Sequence, residues 1–554
     1  MSRGREEVDV LVVGSGGGGG TLACALAEAG ARVLVLEKGP HYSLYDFTHD
    51  ELAICRRNFF VPYVSDEPHL VRRNGERHQR TNDGWISCCV GGGTVHMSGF
   101  FFRLHRDDLQ QRTRLGAPAG STVEDWPIPY EELARWYDRA EILIGVSGQA
   151  GENPFDEPRA GAFPLPPLLA HPAGRRLADA ARGLGWHPFT TPRAVLSDAY
   201  DGRPPCNYCG FCGSYGCENG SKSSVLSTFI PRALKTGRCR LRAQAMVREI
   251  TVDENGRARG AVYQDRAGGL HEVRARAVVV ACSAIESARL LLLSRSSRFP
   301  QGLANSSGLV GKNLSFSLFA AVEADFRRDG GAKSVPVFDG ALPWLGVAVQ
   351  DFYRLPAAAG GHKGGTLRFD FVHPNPIYNA EHVAKHTDPP LFGQALKDRL
   401  RRHFRDTRTL ECEIFAEYLP SAETFVELDP DARDRYGLPA ARVSVAHHPT
   451  DVPVARFLAE RAQELFRAMG ADEVRVAAAL GTTFVLQHGT CRFGVDPARS
   501  VLDPTCRAHD VPNLYVVDGS FMPTSGGVPT TLTIQANALR VADALAGRLT
   551  RREL

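Results

Sequence analysis

Three groups of residues in this chain are of a type and spacing to do chemistry. The first is His488, set against a Gly-Thr-Cys turn in FVLQHGTCRFG (Phe484–Gly494). An imidazole with an ordinary pKa of about 6.5 suits general-base work near neutral pH. If residues 484–488 run extended, positions 486 and 488 share a face, and His488 serves the space that Leu486 faces. The alternative is that His488 only holds the turn. The second group is Cys206, Cys209, Cys212 and Cys217, spaced C-x₂-C-x₂-C-x₄-C. Thiolates select zinc or an iron–sulfur cluster. Zinc would make the run structural; plain reduced thiols are the alternative. The third group is Gly14-Ser15-Gly16-Gly17-Gly18-Gly19, which fits G-x-G-x-x-G, with Glu37 following 18 residues after Gly19.

The elements that must position these groups are legible around the glycines. Val8–Val13 is a continuous apolar strand, as in a parallel sheet covered on both faces. Thr21–Ala29 reads as a helix and Arg32–Leu36 as a second strand. Glycines let the backbone approach a pyrophosphate, and a helix N-terminus offers free N–H groups. A carboxylate at the tip of the second strand accepts ribose hydroxyls. This motif alone does not separate NAD from FAD. The far end of the chain does: Leu514–Val517 is a buried strand ending in Asp518-Gly519, followed by a helix over Thr530–Leu545. An acid at a strand end and a helix N-terminus suit a flavin's polyol chain and ring edge.

The bulk numbers exclude several classes. With 65 Lys and Arg against 62 Asp and Glu in 554 residues, the net charge of +3 makes no case for nucleic acid. No window reaches about 18 uninterrupted apolar residues, so no membrane span is expected. The N-terminus lacks a signal-peptide layout, and the thirteen cysteines then read as reduced thiols or metal ligands in a cytoplasmic protein.

Further stretches match the glycine turn and the C-terminal strand. They are WISCCVGGGTVHMSGFFFR (Trp85–Arg103), VVVACSAIESARLLLLS (Val278–Ser294), HGTCRFGVDPARSVLD (His488–Asp503) and NLYVVDGSFMPTSGG (Asn513–Gly527). On these the chain resembles the glucose-methanol-choline (GMC) family of FAD-dependent oxidoreductases. Within it, the chain is nearest the gluconate-dehydrogenase-like and aminoglycoside 6′-alcohol oxidase branches. The resemblance implies an α/β fold: a Rossmann-type FAD-binding domain with an antiparallel-sheet substrate domain. Residues 1–320 would hold FAD, with a helical insertion at about 106–200. Residues 321–490 would roof the substrate, and 491–554 would return to the FAD domain.

The resemblance also implies roles. Gly14, Ser15, Gly16 and Gly19 meet the pyrophosphate, and Glu37 and Lys38 the adenosine ribose. Val247, Ala281 and Ser283 pass the adenosine side. Gly91, Gly92 and Thr94 line the isoalloxazine. Asp518, Gly519 and Thr530 line the ribityl segment and ring edge. His96 stands where members with covalently attached flavin carry the linking histidine. The family's usual catalytic His and its Asn partner fall at Leu486 and Pro529, neither of which accepts a proton, so His488 becomes the replacement base. The activity expected is oxidation of a CH–OH group of a sugar, cyclitol or (amino)glycoside, with oxygen or an electron-accepting protein taking the electrons. Two alternatives are a flavoprotein repurposed for lyase or other non-redox chemistry, and a catalytically silent flavoprotein subunit. Pocket candidates are His362, His373, Glu417 and His447, with Phe101 and Tyr353.

Overall fold

The structure is a computed structural model that describes residues 6–55, 58–328, 343–385, 390–481, 484 and 486–554. The first apolar run forms the strand Glu6–Val13. It pairs in parallel with Val33–Leu36 on one side and Leu270–Val280 on the other. Burial of both faces explains why the central parts of these strands, Val10–Val13, Val33–Leu36 and Ala277–Val280, read as unbroken runs of Val, Leu and Ala. Cys239–Arg242 extends the sheet beyond Val33–Leu36. Ala258–Gln264 and Met246–Val252 extend it antiparallel at the other edge. Leu514–Val516 joins in parallel beside Val278–Val280, so both ends of the chain share one sheet.

Helix Gly17–Glu28 starts four residues earlier than the sequence suggests. Tertiary packing overrides the poor helix propensity of glycine here. A Cβ on Gly18 would lie 2.2 Å from the Val517 carbonyl oxygen, and one on Gly19 would lie 2.1 Å from that of Gly14. The glycine turns are what let this helix sit so low on the sheet. The C-terminal helix, Thr531–Thr550, packs across it.

A second sheet roofs the first. Its strands run antiparallel in the order Glu473–Gly481, Ser317–Arg327, Thr407–Glu417, Gly365–Phe371, Val347–Val349 and Phe189–Thr190. Residues 320–326 and 366–371 lie in this roof. The strand that includes 441–445 does not. It spans Pro439–Val445, which pairs with Phe425–Arg433 and His69–Arg73 in a separate four-stranded sheet. Alternation marks a half-buried strand but not its partner. A short ladder between Lys312–Ser315 and His488–Thr490 brings His488 beneath the C-terminal loop. No helix among the described residues is long and apolar enough to cross a membrane. All thirteen cysteines are free thiols.

Candidate active site

Residues of both sheets line one cavity of about 550 Å³. At one end Val13, Leu36, Glu37, Val247 and Ala281 surround it; at the other stand Phe319, His373, Glu413, Phe415, Leu486 and Pro529. Most of the residues expected at a dinucleotide lie on its wall: Gly14, Gly16, Glu37, Lys38, Gly92, Thr94, His96, Val247, Ala281, Ser283, Asp518, Gly519 and Thr530. Ser15, Gly19 and Gly91 stand behind it and shape it. The Ser15 hydroxyl and backbone N–H both donate to Glu37 Oε2, at 2.7 and 3.0 Å. Gly91, at φ +93°, donates its N–H to the Ser15 hydroxyl at 3.1 Å. Gly19 packs on Gly14 as described above.

The glycine turn leaves room for a pyrophosphate. A Cβ on Gly16 would meet only the Gly92 Cα at 3.7 Å, and one on Gly17 only methyl carbons at 3.6–4.0 Å. Both would project into the cavity at the helix N-terminus, where unpaired N–H groups favour an anion. Asp518 is taken up by its surroundings: Oδ1 accepts from the Ser520 N–H at 2.8 Å, and Oδ2 accepts from the Ser287 hydroxyl. Burial raises its carboxyl above the usual range, although these hydrogen bonds pull the other way.

His96 donates Nε2–H to the Ile86 carbonyl at 2.8 Å and stacks on Phe60, centroids 4.9 Å apart. Burial, followed by the Lys222 ammonium, pushes its pKa down to about 4. The imidazole is therefore neutral, with Nδ1 as the nitrogen not engaged by Ile86.

The extended run over 484–488 does not form. Leu486 has φ +53°, a left-handed conformation uncommon for leucine, and Val485 lies outside the described residues. The chain leaves the roof at Gly481, turns at Leu486 and enters its next strand only at His488. Leu486 and Gln487 consequently face the cavity. His488 is fully buried, and its Nε2 lies 2.7 Å from the hydroxyl of Thr530, a residue of the cavity wall. Its Nδ1 is buried without a partner. Burial pushes its pKa down to about 3.

The roof supplies two groups the sequence leaves undistinguished and one of the pocket candidates, His373. Glu413 and Phe415 alternate onto the cavity face of their strand, and His373 joins them. Glu413 pairs with Arg368. One row along, Glu411 stands between Glu323 and Asp370 on the neighbouring strands. Arg475 serves Glu323, and Arg193 and Arg368 serve Asp370. Burial, then Glu413 and Glu323, push the Glu411 carboxyl up to about 8. Of the other pocket candidates, Glu417 accepts from the backbone of Ser525 and Gly526 and pairs with Lys363. Tyr353 donates to Asp108 at 2.6 Å. Both are structural ties rather than cavity groups. Phe101 is core.

Among the described residues, no three of the four cysteine sulfurs lie within 4.8 Å of one another, as ligands of one metal ion would. The single group of three ligand atoms within 4.8 Å of one another, among the described residues, is His49, Cys209 and Glu218. Cys212 is buried with Val195 and Trp344, and Cys206 packs on the same cluster. Cys217 lies against the Ser221 hydroxyl and the Lys222 N–H. Sequence spacing reports which thiols are near, not which way each side chain turns.

Fold and cavity together define a dinucleotide-binding oxidoreductase. Comparison with known proteins narrows the class: GMC oxidoreductase family models match residues 16–318 and 420–538, and the chain belongs to that family, whose cofactor is FAD. It is 34% identical to 2-methyl-1,2-propanediol dehydrogenase of Mycolicibacterium austroafricanum, over 99% of this chain and 97% of that one. It is 33% identical to paromamine 6′-oxidase of Streptomyces fradiae, over 98% and 92%. Among solved structures, a variant of Aspergillus oryzae RIB40 formate oxidase superimposes with a TM-score of 0.63 at 16% identity, covering 99% of both chains. That likeness is one of fold.

Proposed function

We propose that this protein oxidises a CH–OH group of a polyhydroxylated small molecule, of the sugar, cyclitol or aminoglycoside kind, at the roofed end of the cavity. Bound FAD supplies the hydride acceptor. The observation that carries the proposal is a single cavity running from the glycine cradle to the polar roof groups His373 and Glu413. The similarity to a diol dehydrogenase and to an aminoglycoside oxidase supports an alcohol as the reacting group. Residues 1–320 and 491–554 then form the cofactor-holding part and 321–490 the roof.

In this proposal His488 is the base and Thr530 its hand in the cavity. The substrate hydroxyl donates to Thr530 Oγ1, and the Thr530 hydroxyl donates to His488 Nε2. The relay needs His488 neutral, and burial keeps it so, while the same burial makes the imidazole a weaker proton acceptor than the ordinary value of about 6.5 implies. Leu486 and Pro529 shape the space without competing for the proton. Glu413 presents a carboxylate to the substrate's far side, which favours a substrate bearing an ammonium group. His96 is the residue through which a covalent flavin would be held, by Nδ1.

The test is anaerobic mixing of purified protein with a panel of diols, sugars and aminoglycosides while flavin absorbance is followed. Bleaching by a hydroxylated substrate with matching aldehyde or ketone product is expected. Product formed without bleaching would instead indicate non-redox chemistry. Acid precipitation reads His96: the yellow colour stays in the wild-type pellet and moves to the supernatant for His96→Ala.

A further inference from the structure

Outside the cavity, one cluster brings metal-ligand chemistry together from distant parts of the chain. His49 precedes the short helix Glu51–Ile54. Cys209 and Glu218 belong to the cysteine-bearing loop. The His49 imidazole, the Cys209 sulfur and a Glu218 carboxylate oxygen all lie within 4.8 Å of one another. His49 Nε2 is 3.2 Å from Glu218 Oε2. A tetrahedral zinc with Zn–N and Zn–O distances of about 2.0–2.1 Å separates two such ligand atoms by about 3.3 Å. The pair is already spaced as two corners of that tetrahedron. The imidazole is also held in orientation: its ring lies flat on Phe211, centroids 4.0 Å apart and planes 6° apart, and meets Tyr215 edge-on.

We propose that His49, Cys209 and Glu218 bind one Zn²⁺, with water at the fourth position. One thiolate, one imidazole and one carboxylate suit zinc better than the hard cations, which prefer all-oxygen sites. The His49 and Glu218 side chains are each 34% exposed, enough to admit the ion and a water. Burial, with Glu218 and Cys217 nearby, raises the Cys209 thiol pKa, so zinc uptake releases a proton.

The site has a structural consequence for the cavity. The loop continues from Cys209 into Gly213 and Ser214, which line the cavity wall. Ser214 donates its N–H to the His96 carbonyl at 2.8 Å. Gly213 packs against His373, where a Cβ would lie 2.1 Å from the ring. Zinc would tie this wall to the segment around His49, which lies 160 residues earlier in the chain. It assigns Cys209 a role separate from Cys206, Cys212 and Cys217.

The experiment uses the full-length flavin-loaded protein. It is stripped with EDTA, titrated with ZnSO₄ against a chromophoric chelator, and assayed for bound metal by plasma mass spectrometry. One zinc per chain is expected, with a rise in unfolding temperature on binding. His49→Ala and Glu218→Gln each weaken binding by more than the roughly 10–100-fold typical of losing an outer-shell partner; Cys206→Ser leaves it unchanged. Retained flavin absorbance in the variants shows that the fold survives. Zinc bound equally by wild type and His49→Ala overturns the proposal, as does no uptake by wild type. Iron with a broad visible band that persists in His49→Ala overturns it too, in favour of a cluster on the cysteines.

Discussion

The Nε2 of His488 stands 2.7 Å from the Thr530 hydroxyl, and of these two residues Thr530 is the one on the cavity wall. In the proposed reaction, proton transfer from a bound alcohol to His488 passes through Thr530. Thr530 occupies the N-cap position of the last helix, yet its side chain makes no capping bond there. Thr530→Val thus removes the link to His488 with little cost to the helix. His488→Gln keeps a polar group at the Nε2 position and removes the base. Each variant is expected to slow anaerobic flavin reduction by roughly 10²-fold or more, the usual range for a general base. The double variant is expected to be no slower than either alone, as for residues acting as one unit. Fast reduction in Thr530→Val alongside slow reduction in His488→Gln would rule out the relay.

The burial that keeps His488 neutral also makes the fold acid-sensitive. Its folded pKa of about 3 lies below the unfolded value of about 6.5. Between these values the unfolded chain binds the extra proton, so stability is full above about pH 6.5 and falls as the pH drops. At pH 5.5 this one group costs on the order of 1 kcal/mol relative to neutral pH. His96, at about 4, acts in the same direction. Urea midpoints measured from pH 7 to pH 5 are expected to fall less steeply for His488→Gln than for wild type. Equal slopes would show that His488 is not buried neutral.

The cofactor end of this site was legible because its constraints are local. The turn from Gly14 to Gly19 and the acid Glu37 belong to one strand–helix–strand unit, and each type is required by backbone approach or hydrogen bonding there. The substrate end is not local. Leu486 takes a left-handed φ that nothing in its type announces, and Gln487 rather than His488 joins it on the cavity wall. Thr530 meets His488 across 42 residues of sequence. Glu411 and Glu413 differ in charge state only because their row partners on two other strands differ. The cysteine run was legible as a cluster. The ligand that completes a site with Cys209, His49, lies in a segment with no motif.

In the proposed function Glu413 reads the charge of the substrate. Its partner Arg368 shares Asp370 with Arg193, so Glu413→Gln removes the carboxylate from the cavity wall and leaves two buried guanidiniums on one carboxylate. Loss of a charge-assisted contact is expected to raise KM for an aminoglycoside by roughly 10–100-fold. KM for an uncharged diol should stay within about threefold, and kcat for both should hold. A uniform rise in KM for charged and uncharged alcohols would place Glu413 in shaping the pocket rather than recognising an amine.

Two neighbouring glycines separate cofactor binding from folding. A Cβ at Gly18 meets the Val517 carbonyl oxygen at 2.2 Å and its carbon at 2.8 Å, and both belong to backbone that cannot yield. Gly18→Ala must push the first helix off the sheet, at a cost of several kcal/mol of the kind overpacking produces, about 1–3 or more. A Cβ at Gly16 has only the Gly92 Cα at 3.7 Å, so the protein itself tolerates it. Gly16 adopts φ −72°, which any residue accepts, and removing a glycine restricts the unfolded chain. The added methyl stands instead where a pyrophosphate must approach the helix N-terminus. Gly16→Ala is therefore expected to match the apoprotein's wild-type unfolding midpoint while losing flavin on gel filtration, and Gly18→Ala to lose both. A Gly16→Ala protein that retains stoichiometric FAD would show that the anion cradle lies elsewhere on the cavity wall.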